Sequence, residues 1–263
     1  MRIAEIFRSL QGEGRLTGVE SVFVRVSGCN LRCRYCDTPY ALRASEGEEL
    51  SAEHVLNRID VLCQEERPAF LNPHFMQRRS GGLSCIALEA GPCYSEAGVR
   101  HIVLTGGEPM LFPEMVLLTE RLHQDGRHIT IETAGTLDLP VTCDLMSISP
   151  KLSNSVPSAN RAPQWSDRHA QSRHAPKVMR RLLAAYDYQL KFVVDSREDC
   201  NEVEAYLADF PEVDQARVML MPQGVCADDL AEKSLWLEPY CLGRGWTFCP
   251  RRHVEWFGAA RGR

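Results

Sequence analysis

The sequence has no apolar run approaching ~18 residues, so a membrane-spanning helix is not expected. Its opening stretch, MRIAEIFRSLQGEG, lacks an apolar centre followed by a small-residue cleavage site, so an export signal is not expected either. Positive charge is scarce: 30 Lys and Arg stand against 35 Asp and Glu, a formal net charge of −5. With no basic tail and no aromatic-basic stripe, nucleic acid is a poor electrostatic match. Internal repeats are missing, as is any sign of a separate second domain. A single domain over residues 1–263 is therefore expected, cytoplasmic and large enough to bury its core without disulfides.

Cysteine, by contrast, is abundant, at 11 residues. An odd number in a chain without an export signal speaks against a disulfide framework. Cys63, Cys85, Cys93, Cys143, Cys200, Cys226, Cys241 and Cys249 are scattered and fit the role of small hydrophobes. Cys29, Cys33 and Cys36 are different, crowded into eight residues as C-x3-C-x2-C.

Strand-like and helix-like segments alternate along the chain. Residues 21–26 and 101–105 are β-branched or aliphatic runs stopped by glycine, the pattern of buried strands. Residues 128–133, 143–149, 188–195 and 216–221 read the same way, and 247–257 completes the series. Ser51 can cap a helix carrying Val55, Leu56, Ile59 and Leu62 at helical spacing. Pro113 suits the first turn of another helix, with Gly126 placed to end it. Further helices are expected at 176–186, after Ser196, and near 228–237. This order favours parallel βαβ units, as a complete or partial barrel or a doubly wound sheet. Residues 64–100 and 153–176 break the rhythm and read as insertions without sustained periodicity.

The three crowded cysteines follow the first of these strands, at the carboxyl end where α/β folds place their sites. Tetrahedral zinc would want a fourth Cys or His at matching spacing, and none is nearby. Three thiolates on a cubane iron–sulfur cluster leave one iron open for an exogenous ligand. Such an iron can chelate the amino and carboxylate groups of S-adenosylmethionine, and one-electron reduction can release a 5′-deoxyadenosyl radical. Tyr35, just before the last cysteine, offers a ring on which adenine can pack.

Cys29-x3-Cys33-x-Tyr35-Cys36 resembles the signature of the radical S-adenosylmethionine superfamily, and Thr105-Gly106-Gly107-Glu108-Pro109 its glycine-rich second motif. The flanks are similar to the 7-carboxy-7-deazaguanine synthase family: Phe7-x-Ser9-Leu10-Gln11-Gly12-Glu13-Gly14, Phe23-x-Arg25, Asp37-Thr38, Glu132-Thr133-Ala134-Gly135 and Ser149-Pro150-Lys151. Gln189-Leu190-Lys191-Phe192-Val193, Met221-Pro222-Gln223-Gly224 and Arg252-His253-Val254 extend the likeness over nearly the whole chain outside the two insertions.

The resemblance implies a partial (β/α)6 TIM-like barrel and a ring contraction of 6-carboxy-5,6,7,8-tetrahydropterin to 7-carboxy-7-deazaguanine, with release of ammonia, in queuosine and deazapurine biosynthesis. The enzyme would be a carbon–nitrogen lyase. Its implied cofactors are a [4Fe-4S] cluster on Cys29, Cys33 and Cys36, S-adenosylmethionine, and Mg²⁺ on Thr38. S-adenosylmethionine would meet Tyr35, Cys36, Asp37, Gly107, Glu108, Ser149, Pro150, Lys151, Met221, Pro222, Gln223 and Gly224. The pterin would meet Leu10, Gln11, Gly12, Glu13, Arg25, Thr105 and His253. No further side chain is assigned a catalytic role beyond cluster and cofactor. A flavodoxin or ferredoxin as electron donor and a homodimer are also implied, with no nucleic-acid or membrane partner.

Two other functions remain open from the residues alone. One is an activase that generates a glycyl radical on a protein partner, which shares the plain cysteine spacing. The other is a non-catalytic, zinc-stabilised binding protein.

Overall fold

In the central strands apolar residues recur at every second position, and the residues between them are more varied, from Phe23 and Val193 to Arg25, Glu132 and Lys191. This pattern builds a sheet with two different faces. The computed structural model describes residues 1–66, 98–158, 163–258 and 260–262. The strands are β1 (Arg2–Leu10), β2 (Glu20–Val26), β3 (Glu48–Glu49), β4 (His101–Gly106), β5 (His128–Thr133), β6 (Leu145–Ile148), β7 (Tyr188–Val194), β8 (Val218–Pro222) and β9 (Thr247–Phe248). The α-helices are α1 (Ala52–Gln64), α2 (Glu114–Gln124), α3 (Pro163–Ser172), α4 (Pro176–Ala185), α5 (Arg197–Ala208), α6 (Ala227–Arg244) and α7 (Arg252–Phe257).

One sheet runs β3-β1-β2-β4-β5-β6-β7-β8-β9. β2 and β4 to β9 are parallel, whereas β1 is antiparallel to β2 and to β3. The sheet is thus a mixed one, with a long parallel run and a hairpin at one edge. Val22, Val24, Ile102, Leu104, Ile129, Met146, Ile148, Leu190, Phe192, Val218 and Leu220 point to one face and join the main core. Val55, Ile59 and Cys63 of α1 and Leu118 and Leu122 of α2 pack into the same cluster. The opposite face carries Phe23, Arg25, Thr105, Glu132, Ser147, Lys191, Val193 and Met221, which line a cavity instead. A half-period shift in any one strand would exchange these two sets.

The helix signals operate as the sequence suggests. Ser51 Oγ accepts from His54 N at 3.2 Å at the start of α1. Ser196 and Asp199 form a reciprocal capping box at α5. Gly126 adopts φ 67° where α2 ends.

Three expectations change. β1 was not foreseen: its alternation is weak because Arg8 turns inward, pairing with Glu20 at 2.8 Å and reaching the Glu65 carbonyl at 2.6 Å. Residues 247–257 split into β9 and α7. The insertion at 153–176 contains the helix α3, although residues 159–162 lie outside the described residues. Most of the insertion at 64–100 lies outside them too, at 67–97, together with Cys85 and Cys93. Among the described residues the cysteines are free, and no helix is long and apolar enough to cross a membrane.

Candidate active site

The loop after β2 carries Cys29, Cys33 and Cys36, all half-buried on the cavity wall. Its backbone is held from two sides. Gly28 N donates to Ala41 O at 2.8 Å, and Glu108 N donates to Gly28 O at 2.9 Å. That second contact requires glycine at 107, since a Cβ there would lie 1.9 Å from Gly28 O. On the other side Arg34 N donates to Ser155 O at 2.8 Å, and Arg32 N to Nδ1 of the buried His169 at 3.0 Å. Burial lowers the His169 pKa to about 4, with Arg173 and Lys151 adding to the effect. The neutral ring therefore accepts at Nδ1 and donates from Nε2 to Ser155 Oγ at 2.9 Å.

Burial pushes the thiols up, Cys29 to about 12 and Cys33 to about 11, and Cys36 in the same direction. A bound metal centre reverses this preference, because its charge favours the thiolate. Zinc–sulfur bonds of about 2.3 Å would bring thiolates within about 3.8 Å of one another. Among the described residues the only three Cys, His, Asp or Glu ligand atoms within 4.8 Å of each other belong to Glu13, Asp37 and His253. The three thiols do not all lie within 4.8 Å of one another, a placement compatible with a cluster in which each binds a different iron.

Beside the thiols, Lys151 Nζ donates to Ser149 Oγ at 2.7 Å, and Tyr35, Gly107, Met221 and Gln223 complete that part of the wall. Thr38 also lines the cavity, its hydroxyl 3.9 Å from Cys36 Sγ. Asp37 is on the wall as well, held by Arg251.

The opposite part of the wall is a polar and charged network from β4, β5 and β7 and from the segments after β1 and before α7. Lys191 Nζ lies 2.9 Å from Glu13 and 3.7 Å from Glu132. Glu132 accepts from Thr105 Oγ1 at 2.7 Å and from Gln11 Nε2 at 3.2 Å. Arg251 reaches Glu13 at 3.3 Å, Asp37, and the Gly224 carbonyl. Burial opposes ionisation of Glu13, but Lys191, Arg251 and His253 outweigh it and hold the carboxyl well below its ordinary value of 4.5. Lys191 is held above its ordinary 10.5, Glu13 and Glu132 overcoming the effect of burial. Gly12 lets α7 close on this network, since a Cβ there would meet His253 atoms at 2.6 Å. Glu13, Asp37 and His253 could together ligate a cation, yet Arg251 and Lys191 already neutralise the carboxylates.

Arg25 donates through Nε to Glu5 at 2.7 Å, and Glu5 is also held by Tyr40 at 2.7 Å and Arg261 at 3.2 Å. This brace fixes the guanidinium against the cavity with its Nη edge without a carboxylate partner among the described residues.

Most residues expected from the sequence thus meet on one wall: Leu10, Gln11, Gly12, Glu13, Arg25 and Thr105 with His253, and the three cysteines with Tyr35, Asp37, Thr38, Gly107, Ser149, Lys151, Met221 and Gln223. Glu108 does not. It is fully buried, and its carboxylate accepts from Thr133 Oγ1 at 2.8 Å, Ala134 N at 2.9 Å and Met110 N at 3.1 Å, so it anchors the glycine-rich loop from below. Pro150, Pro222 and Gly224 also do not line the cavity. Sequence reasoning assigned no role to Lys191, Glu132, Arg251 or Glu5. The available signal for two of them was a charge inside an apolar parallel strand, in YQLKFVV and HITIET. Arg251 had no such signal.

A parallel α/β sheet with a three-cysteine loop and a charged wall facing one cavity defines an enzyme-like site at the carboxyl ends of the strands. The chain is 40% identical to a 7-carboxy-7-deazaguanine synthase of Rhodopirellula baltica, over 99% of this chain and 88% of that protein. It is 35% identical to the one of Halobacterium salinarum, over 96% and 88%. The crystal structure of QueE from Escherichia coli matches with a TM-score of 0.58 at 25% identity, covering 96% of this chain and 94% of that one. No family model matches the chain. The chain belongs to the 7-carboxy-7-deazaguanine synthase family, and it is an enzyme.

Proposed function

We propose that the protein is a radical S-adenosylmethionine carbon–nitrogen lyase that converts 6-carboxy-5,6,7,8-tetrahydropterin into 7-carboxy-7-deazaguanine and ammonia. Its product belongs to queuosine and deazapurine biosynthesis. The observation that carries the reading is the meeting of Cys29, Cys33 and Cys36 with Arg25, Glu13 and Thr105 on one cavity wall at the carboxyl end of the sheet. The bound cluster and S-adenosylmethionine would supply a radical that abstracts a substrate hydrogen. Six parallel strands from β2 to β8, with their polar face inward, support a partial (β/α)6 barrel and one domain over residues 1–263. A homodimer and a cytoplasmic location complete the reading; the dimer is supported by Leu235 and Leu242, seven residues apart on α6 and 79% and 82% exposed.

The chain's own residues position both reactants. Lys151, Ser149, Tyr35 and Gln223 face the S-adenosylmethionine side. Arg25 presents a forked cation to the pterin carboxylate, with Glu5 fixing its orientation. Glu13, held ionised by Lys191 and Arg251, and Glu132 beside it offer acceptors for the N–H edge of the pterin ring. Thr38 offers a hydroxyl for Mg²⁺, whose one hydrogen-bond contact among the described residues is the weak one to the Cys36 thiol. One protein oxygen, with substrate oxygens and water, suits the habit of that ion.

The direct test is anaerobic incubation of cluster-loaded protein with the carboxytetrahydropterin, S-adenosylmethionine and a chemical reductant, followed by product analysis. Formation of 7-carboxy-7-deazaguanine is expected, and cofactor cleavage without that product would overturn the substrate assignment. Arg25→Lys keeps the charge and loses the fork, so the KM for the pterin should rise by about 5- to 150-fold, corresponding to roughly 1–3 kcal/mol. An unchanged KM would remove Arg25 from the carboxylate. Thr38→Val should keep iron and S-adenosylmethionine binding while turnover falls and its dependence on added Mg²⁺ flattens. Thr38→Ser should retain most activity. Full turnover of Thr38→Val, still stimulated by Mg²⁺, would end the metal role of this hydroxyl.

A further inference from the structure

In a chain of net charge −5, most described arginines sit against a carboxylate, as Arg2, Arg8, Arg15, Arg58 and Arg127 do. Of the seven described arginines with no described carboxylate within salt-bridge distance, Arg100, Arg121 and Arg197 lie elsewhere in the chain, and Arg32, Arg34, Arg43 and Arg168 form a group of four. All four lie on or beside the cysteine loop. Arg32 is the hinge of the group. Its Nη1 donates to the Cys29 carbonyl at 2.7 Å and to the Leu31 carbonyl at 2.6 Å. Its guanidinium carbon lies 4.0 Å from the centre of the Trp165 ring, and that of Arg168 lies 5.0 Å from the same centre.

Arg43 and Arg168 are exposed, and Trp165 is half-buried. Arg32, Arg43, Tyr40 and Trp165 line a recess that shares Tyr40 and Leu42 with the main cavity. Glu46 and Gln164 also line it, but Glu46 is not paired with any of the arginines. Arg32, one hydrogen bond away from the backbone of Cys29, and Arg168 therefore flank the Trp165 ring, while Arg43 lines the same recess and Arg34 is exposed on the cysteine loop. Like charges are held together here at a cost to the isolated fold, which a partner of opposite charge would relieve.

We propose that this face, Arg32, Arg34, Arg43, Arg168 and Trp165, is the docking surface for a small acidic one-electron carrier protein of the flavodoxin or ferredoxin kind. The proposal rests on the reading of Cys29, Cys33 and Cys36 as cluster ligands. Docking there brings the carrier's redox centre to the outside of the cysteine loop, while the substrates occupy its inner side. One electron leaves the carrier's flavin or iron centre, and the cluster is reduced by one. The α3 helix, which supplies Trp165 and Arg168, is thereby part of the electron-entry surface, and its buried His169 fixes it to the loop.

The test uses the cluster-loaded enzyme, a fluorescently labelled flavodoxin, and two double variants, Arg43→Glu with Arg168→Glu and Arg43→Gln with Arg168→Gln. Anisotropy should show binding weakened by about tenfold or more in the Glu pair and by a smaller factor in the Gln pair. The difference from the wild type should shrink as salt is raised, because exposed charges are screened over about 8–10 Å. Cleavage of S-adenosylmethionine driven by flavodoxin hydroquinone should fall with binding, while cleavage driven by dithionite stays within about twofold of the wild type. Unchanged flavodoxin binding in the Glu pair would overturn the proposal. So would an equal loss with dithionite, which would place the arginines in the fold or the site itself. Binding of an RNA oligomer that is abolished by the Glu pair while flavodoxin binding is unchanged would assign the face to nucleic acid instead. A wild-type enzyme unable to cleave the cofactor even with dithionite would overturn the cluster reading beneath the proposal, a result distinct from a loss confined to the flavodoxin arm.

Discussion

Cys33→Ala is expected to reduce turnover to below about 1% of the wild type and to lose the broad visible absorbance of the loaded protein, since loss of a ligating thiolate leaves its iron labile. The same result is expected for Cys29→Ala and Cys36→Ala. The metal-free fold should hardly notice. The Cys33 thiol makes no hydrogen bond among the described residues, and the loop is held through its backbone by Ser155, His169 and Ala41. The unfolding free energy of the metal-free variant should therefore stay within about 1 kcal/mol of the metal-free parent. Cys63, buried in the core cluster on α1, supplies the control: Cys63→Ala removes a small apolar group and should leave iron content and activity intact. Iron analysis, absorbance and product formation read on the same preparations check all of this. A full complement of iron together with turnover in Cys33→Ala would show that the thiols do not carry the cluster.

Lys191→Met is expected to destabilise the protein by roughly 3–5 kcal/mol, because it breaks a buried ion pair from one side only. Lys191 is 3% exposed and faces Glu13 at 2.9 Å and Glu132 at 3.7 Å. With the ammonium gone, Glu132 loses its cation, and Glu13 is left to share the guanidinium of Arg251 with Asp37. Adding Glu13→Gln to Lys191→Met removes one of the orphaned charges and should restore part of the loss, which identifies the cause as charge and not packing. The pH dependence has a definite sign. Glu13 sits below its ordinary value in the folded protein, so its contribution is fully present above pH 4.5 and is lost as pH falls toward the lowered folded value. In Lys191→Met the carboxyl moves back up, and the acid loss should begin at higher pH than in the wild type. Urea unfolding between pH 4 and 8 measures both effects. Equal stability of Lys191→Met and wild type at pH 7 would mean that the network does not hold the two ends of the chain together.

What the sequence determined by itself is whatever local physics writes into a short stretch. The β-branched and apolar runs of β2, β4, β5, β6 and β7 specified strands. Ser51, Pro113, Gly126 and Ser196 specified where helices start and stop. The cysteine loop and the glycine-rich loop were legible because their chemistry lies within a few residues of backbone. Thr38, Arg25 and Gln11 were legible through the family resemblance, and the fold does bring them to one wall. The charge network was not legible. Glu13 and Lys191 are separated by 178 positions and Glu13 and Arg251 by 238, and a buried charge is stable only beside a partner the sequence does not place. Glu108 shows the same limit from the other side. Its motif suggested a ligand contact, but three hydrogen-bond donors from β5 and its own loop take its carboxylate first. The helix α3 escaped notice because its Ser-, Arg- and His-rich composition has no apolar stripe. It is held by His169 bonding to Arg32 and Ser155, a contact that only the folded chain brings into being.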